Sequence, residues 1–265
     1  MFPPQWAFGL PVVKCRGASR VALLPRRSPS RSLGPRLGFK PDRWSARIPR
    51  LNRVCDSRAV ARFDHIRWVG GGPGAGKTTV ACRLAEHRGL SIYAADAAIG
   101  VHASRLSASA APLLDRFRLM SMDERWVLRK PGEMFRTFPW FHGEGFDLLI
   151  DELGSLPTDR ITLVEGFRLL PHLVAPLLSE PTHAVWLIPT PRFRRAAFAA
   201  RGEPAAFWLR TTDPQRALAN LLARDELFTE AIAADAARNK LMTTSVDGKQ
   251  SVDAIVTAVA KQFGL

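Results

Sequence analysis

The sequence predicts an α/β fold, with three αβα layers built around a five-stranded, mainly parallel sheet. Short apolar runs recur at residues 65–70, 90–93, 161–164, 184–188 and 241–246, each close to a Gly, Pro or Asp. The stretches between them place apolar residues at helical spacing. Strands that alternate with helices pair in parallel through right-handed crossovers. The chain has 265 residues, 46% of them apolar, enough for one such domain and a tail.

The first strand, residues 65–70, runs directly into glycines. A helix over 78–87 follows, with Val80, Ala81, Leu84 and Ala85 on one face and Gly89 as its stop. The second strand ends near Asp96, and a mostly helical stretch continues through Leu128. Residues 129–143 are broken by Pro131, Gly132 and Pro139 and carry Phe135, Phe138, Trp140 and Phe141. The third and fourth strands follow, then one or two helices over 217–239, the fifth strand, and a closing helix over 252–263.

The formal net charge of +14 first suggests a nucleic-acid partner, but its distribution argues otherwise. Residues 1–62 hold 14 Lys/Arg against two acids, Asp42 and Asp56, a net +12 that leaves only +2 for the other 203 residues. The basicity belongs to a tail, and nucleic acid is expected at most weakly, through that tail. A nucleic-acid-associated protein would need a basic folded face with aromatic platforms. Residues 1–60 are rich in Arg, Pro and Ser, with eight prolines and no sustained period. Such a stretch cannot bury enough apolar surface to offset its ordering entropy. Its lack of acids resembles an organelle transit peptide; a disordered extension or an over-called start codon is the plainer reading. The folded domain is expected over 61–265.

Cys15, Cys55 and Cys82 show no metal-binding spacing, and their odd number argues against a disulfide framework. A reducing cytoplasmic setting is therefore expected. No apolar run approaches the ~18 residues of a membrane span.

Gly71-Gly72-Pro73-Gly74-Ala75-Gly76-Lys77-Thr78, followed by Thr79, fits the pattern G-x-x-x-x-G-K-[ST]. Glycines let the backbone curl so that successive N–H groups point at phosphate oxygens. The helix behind them presents its positive end to the same anion. Lys77 can reach the β and γ phosphates, and Thr78 can offer its hydroxyl to Mg²⁺. A chance match in a chain of this length is on the order of 1 in 100. The strand before and the helix after supply the context the motif requires. ATP and Mg²⁺ are the ligands this loop predicts.

Two segments compete to supply the acid of the metal site. Leu148-Leu149-Ile150-Asp151-Glu152 imitates the apolar run plus Asp-Glu of motor ATPases, and Ile161-Thr162-Leu163-Val164-Glu165-Gly166 ends in Glu-Gly. Periodicity favours the second. Phe146, Leu149, Ile150 and Leu153 follow helical spacing, which puts Asp151 and Glu152 on the polar side of a helix. Residues 161–164 read as a buried strand between Pro157 and Gly166. A strand beside the first would deliver Glu165 to the phosphates at its C-terminal end.

Taken in order, this motif set resembles the P-loop kinases of small metabolites, the nucleoside monophosphate, uridine and shikimate kinases. The matching pieces are residues 71–79, Asp96, Val164-Glu165-Gly166, the arginine-rich stretch 192–210 and Val246-Asp247-Gly248, spanning about residues 64–265. Only the loop is specific in itself. The resemblance implies a P-loop NTPase fold with strand order 2-3-1-4-5 and a helical lid. It implies that Asp96 meets the acceptor hydroxyl as general base or holds Mg²⁺ through water; an exposed turn Asp is the plain alternative. It implies that Arg192, Arg194, Arg195 and Arg201 belong to a mobile lid that neutralises the transferred phosphoryl group, with Arg192 and Arg195 as catalytic candidates. A solvated helix face is the alternative for any one of them. Residues 246–251 would surround the adenine ring, with an ordinary turn between strand and helix as the alternative. The expected activity is ATP-dependent phosphoryl transfer to the hydroxyl or phosphate of a small, unidentified acceptor. The runner-up is an ATPase or nucleotide-binding regulator with no acceptor. Nothing after Asp96 matches a known acceptor signature, and the insert at 129–143, with Arg136 and its aromatics, is where an acceptor pocket is sought; core or lid packing is the equal alternative for those aromatics.

Overall fold

The structure is a computed structural model and describes residues 62–202 and 205–265. The basic extension assigned to 1–60 lies outside the described residues. Five strands form one sheet: β1 (Ile66–Gly71), β2 (Ser91–Ala94), β3 (Thr162–Glu165), β4 (Ala184–Pro189) and β5 (Met242–Val246). Their order is β2-β3-β1-β4-β5, and every pairing is parallel. Each strand starts and ends within one residue of its sequence-based bounds. The register sets Val69 of β1 and Ala94 of β2 on either side of Glu165, and Gly71 opposite Leu187.

The period-2 alternation of the strands divides the core between the two sheet faces. Val69, Ile92, Leu163, Val185 and Leu187 face one side. There they pack against α1 (Lys77–Arg88) through Val80, Ala81 and Leu84, and against the closing helix α10 (Val252–Gln262) through Ile255, Val256 and Val259. Ile66, Trp68, Tyr93, Val164 and Trp186 face the other side. That side is covered by α2 (Ile99–Arg105), α3 (Pro112–Leu119), α4 (Met122–Trp126), α5 (Pro131–Thr137), α6 (Phe146–Leu153), α7 (Pro171–Val174), α8 (Pro191–Ala199) and α9 (Pro214–Arg238). The result is the expected three-layer α/β architecture, with a sheet that is wholly parallel.

Three local readings are sharpened or corrected. The stretch 217–239 is one 25-residue helix, α9, opened by the Asp213 side chain, which accepts from the Arg216 N–H. The aromatics of the 129–143 insert are core. Trp140 is fully buried and Phe138 and Phe141 nearly so, packed edge-on at 4.7 Å, while Arg136 is exposed. Cys82, on the buried side of α1, is disulfide-bonded, where the odd cysteine count had argued against a disulfide framework. An odd count leaves one thiol over but does not bar a pair. No helix among the described residues is long and apolar enough to cross a membrane.

Candidate functional site

The C-terminal ends of β1, β2 and β3 meet at the glycine loop. The loop leaves β1 at Gly71, and the Gly72 N–H bonds the Leu187 carbonyl at 3.1 Å. Gly74 and Gly76 take φ of 78° and 79°, which turns the chain back into α1. Gly76 is the N-cap of α1 in the left-handed region, with no capping side chain, so the first N–H groups of α1 carry no side-chain cap. A carbon branch there would strain the backbone. The Lys77 ammonium folds back over the loop and donates to the Gly72 carbonyl at 3.0 Å. Thr79 faces outward from α1 and is exposed.

Lys77, Thr78, Asp96 and Glu165 come together, as the sequence predicts. The Thr78 hydroxyl donates to Glu165 Oε2 at 3.0 Å. Glu165 is 2% exposed at the last position of β3. Burial, reinforced by the Asp96 charge, pushes its carboxyl up to about 7, against the opposing pull of Lys77 and Thr78. Burial likewise raises Asp96, opposed by Lys77 and by the backbone amides of Phe167 and Arg168. The Phe167 N–H bonds both Asp96 oxygens, at 3.1 and 3.3 Å. Lys77 is depressed by burial, with Asp96 and Glu165 supporting its charge. A short 3₁₀ turn, residues Ala95–Ala98, carries Asp96 from the end of β2 toward Gly166. A Cβ on Gly166 would lie 2.7 Å from Asp96 Oδ1, so only glycine lets the two strand ends approach this closely.

The rival acids lie elsewhere. α6 is the expected helix, and Asp151 is exposed on it. Glu152 is tied into a different network. It accepts from the Tyr93 hydroxyl at 2.6 Å and from Arg105 at 2.9 Å, and lies 3.0 Å from His102 Nε2.

The four lid arginines divide. Arg192 and Arg195 sit on the exposed side of α8. Arg194, 2% exposed, is turned inward, where its Nε donates to the Pro73 carbonyl at 3.3 Å and its Nη2 donates to Thr229 Oγ1. It is a structural tie between the loop and α9. Arg201 lies over the Phe198 ring at 3.9 Å, and its charge is felt at Lys77. Arg192 and Arg195 are exposed, and Arg201 is the arginine held near the loop. The turn after β5 is at the same end of the sheet. The Thr190 N–H bonds the Val246 carbonyl at 2.9 Å, and a Cβ on Gly248 would lie 3.3 Å from the Phe193 ring.

Sequence reasoning missed Arg168, Arg224 and Asp225. Arg168, 2% exposed, bonds His102 Nδ1 and the Gly145 carbonyl, both at 3.0 Å, and lies over the Trp140 ring at 4.7 Å. Its position three residues beyond Glu165 was the available signal. A separate cleft, lined by Asp64, His65, Arg67, Thr158, Asp159, Arg160 and Ile161, opens at the N-terminal ends of β1 and β3, away from this chemistry.

No protein-family model matches the chain, and no curated protein does. Among solved structures, the chain is similar to an uncharacterized protein from Eubacterium ventriosum. That match is 14% identical, covers 75% of this chain and 97% of that one, and has a TM-score of 0.38. A likeness at that level carries no argument, and the functional reading rests on the site itself.

Proposed function

We propose that this chain is a P-loop NTPase that transfers the γ-phosphoryl group of Mg²⁺-ATP to a small acceptor. The observation that carries the reading is the meeting of Lys77, Thr78, Asp96 and Glu165 at the C-terminal ends of three adjacent parallel strands, beside a left-handed glycine loop. Ligands of open parallel sheets bind at this edge.

The residues fit the two absent groups. A carboxylate and a hydroxyl, Glu165 and Thr78, are the hard oxygen donors a magnesium ion takes, directly or through water. Glu165 is buried with one hydroxyl donor, and its raised proton affinity is what a divalent cation would reverse. Lys77 and the loop N–H groups suit a polyphosphate, which would replace the Gly72 carbonyl as the partner of the ammonium. The bound metal ion would neutralise charge developing on the phosphoryl oxygens.

The chain's own residues do the rest. Lys77 orients the terminal phosphate, and Arg201 adds positive charge on the α8 side. Asp96, held by the Phe167 amide, accepts the acceptor's hydroxyl proton at Oδ1 or Oδ2. Burial of the carboxylates keeps bulk water from competing. A lone Glu-Gly strand end, with no second acid from α6 in the site, favours group transfer over water activation.

The test is ADP release from Mg²⁺-ATP by the full chain against a metabolite library, with the background rate recorded alone. Acceptor-dependent ADP release supports the proposal. A background rate that no metabolite increases would favour an ATPase.

A further inference from the structure

Arg168 is a buried charge to which phosphoryl transfer itself gives no role. It follows the end of β3 at Glu165 and is 2% exposed. Its guanidinium is gripped by three groups. Nη1 donates to His102 Nδ1 and Nη2 donates to the Gly145 carbonyl, both at 3.0 Å, and the guanidinium carbon lies 4.7 Å from the centre of the Trp140 ring.

The backbone of the same segment holds Asp96. The Phe167 N–H donates to both carboxylate oxygens, and the Arg168 amide adds to it. The amides that aim the carboxylate therefore belong to a stretch, Gly166-Phe167-Arg168, whose far end is pinned by a side chain. The charges are complementary as well. Asp96 is the foremost of the groups that support the buried guanidinium, and Arg168 opposes the burial of Asp96.

His102 sets that pin. Its side chain is fully buried between Arg168 and Glu152. A guanidinium only donates, so Nδ1 must offer its lone pair, and the single proton of a neutral ring is then on Nε2. Nε2 lies 3.0 Å from Glu152 Oε2, outside the alignment of a good hydrogen bond. An imidazolium would turn a second N–H and a like charge toward Arg168. Burial disfavours that form, Glu152 favours it, and the Arg168 charge opposes it again. The charged groups facing the ring are Glu152 from α6, Arg105 from its own helix and Arg168, and Glu152 is in turn fixed by the Tyr93 hydroxyl of β2.

We infer that Arg168 is a positioning residue for Asp96, and that His102, neutral and protonated at Nε2, fixes it in that role. The inference deepens the phosphotransferase reading, and only its effect on turnover rests on that reading. The role needs no ligand at the guanidinium, which stays enclosed. When the side chain loses its two bonds, the segment is free to shift, and the Phe167 amide moves off the carboxylate while the strands remain paired.

The test is amide hydrogen exchange and ¹⁵N NMR on the full chain without ligand at neutral pH. His102, assigned by its loss in His102→Leu, should show one protonated ring nitrogen, Nε2. Arg168→Lys keeps the charge and loses the fork, and Arg168→Met loses both. Each of these, and His102→Leu, should speed exchange of the Phe167 amide at least ~10-fold, while the Leu163 and Val164 amides of β3 stay within about 3-fold of the parent. Arg168→Lys serves if the other variants fail to fold by circular dichroism. With an acceptor found by ADP release, Arg168→Lys should lower kcat about 100-fold and move the KM for ATP by less than about 3-fold. The inference is overturned if the Phe167 amide of folded Arg168→Lys exchanges as in the parent, or if Leu163 and Val164 lose protection with it, which is general loosening. A proton on His102 Nδ1, or an unchanged kcat in a chain whose Phe167 amide has opened, overturns it too. If exchange responds as expected while no acceptor increases ADP release, the phosphotransferase reading fails and the positioning of Asp96 stands.

Discussion

Replacing Glu165 by glutamine removes a charge from a buried site and leaves its shape nearly intact. The Gln carbonyl can still accept from the Thr78 hydroxyl, as Oε2 does at 3.0 Å. In the folded chain the Glu165 carboxyl is pushed up to about 7, chiefly by burial and then by Asp96, from an ordinary 4.5. Below pH 4.5 both folded and unfolded chains hold this proton and the group costs nothing. Between 4.5 and about 7 the unfolded chain releases it while the folded chain keeps it, so stability falls as pH rises. Above about 7 both are ionised and the full cost is present. The gap corresponds to about 3 kcal/mol, to be shared with Asp96, whose carboxyl is raised in the same cluster. Glutamine cannot ionise and escapes the cost. In urea unfolding followed by circular dichroism at pH 5 to 8, without metal or nucleotide, the parent should lose stability across this window. Glu165→Gln should lose less and should be the more stable chain at pH 8. Turnover with Mg²⁺-ATP should move the other way and fall ~100-fold, because a misplaced phosphoryl group costs about that much. Parallel stability curves, or a variant that is less stable at pH 8, would refute the buried-charge reasoning. Unchanged turnover would refute the placement of the metal acid.

Lys77→Ala should lower ATP affinity at least ~10-fold, read by calorimetry on a chain whose circular dichroism shows it folded, and should be less stable than the parent at pH 8, because its ammonium offsets the burial of the Glu165 and Asp96 charges. Gly166→Ala should destabilise the domain by about 1–3 kcal/mol in urea unfolding and reduce turnover, because the new Cβ would press on Asp96 Oδ1 and on the Ala95 side chain 3.0 Å away. Asp151→Asn, on the exposed side of α6, should leave turnover within about 2-fold. Glu152→Gln should cost about 1–3 kcal/mol of stability through Tyr93, His102 and Arg105. Loss of turnover in Asp151→Asn would return the metal acid to α6.

The strands and the loop were legible because their signals are local. A buried parallel strand is a continuous apolar run, and a glycine-rich turn between strand and helix is a few consecutive residues. Glu165 could be chosen over Asp151 because the spacing of Phe146, Leu149, Ile150 and Leu153 already belongs to a helix, and α6 is that helix. The arginines were less legible. Read as a string, Arg192, Arg194, Arg195 and Arg201 form one basic set. The helical period separates them, since Arg194 shares its inward face with Phe198 and leaves Arg192 and Arg195 outside. Arg224 and Asp225 were invisible for a stronger reason. Adjacent opposite charges on a long helix have the signature of a solvated face, and only the aromatic insert folding against α9 buries them. The same insert was read as a candidate pocket because its rings are many. The structure packs those rings into the core instead.

A buried string of hydrogen bonds ties the glycine loop to α9. Arg194 bonds the Pro73 carbonyl of the loop and the Thr229 hydroxyl of α9, and Thr229 bonds the carbonyl of Asp225. The Pro73 carbonyl of the loop and the backbone of α9 at Asp225 are therefore joined by two side chains, both of them buried. Phosphoryl transfer requires its two reactants to be fixed in distance and direction. A short buried string of hydrogen bonds helps hold the loop in place for this, because neither end can shift without breaking a bond that water cannot replace. The buried arginine of α8, first read as part of a lid that meets phosphate, acts in this arrangement one step back from the chemistry. It sets the spacing between the loop and α9.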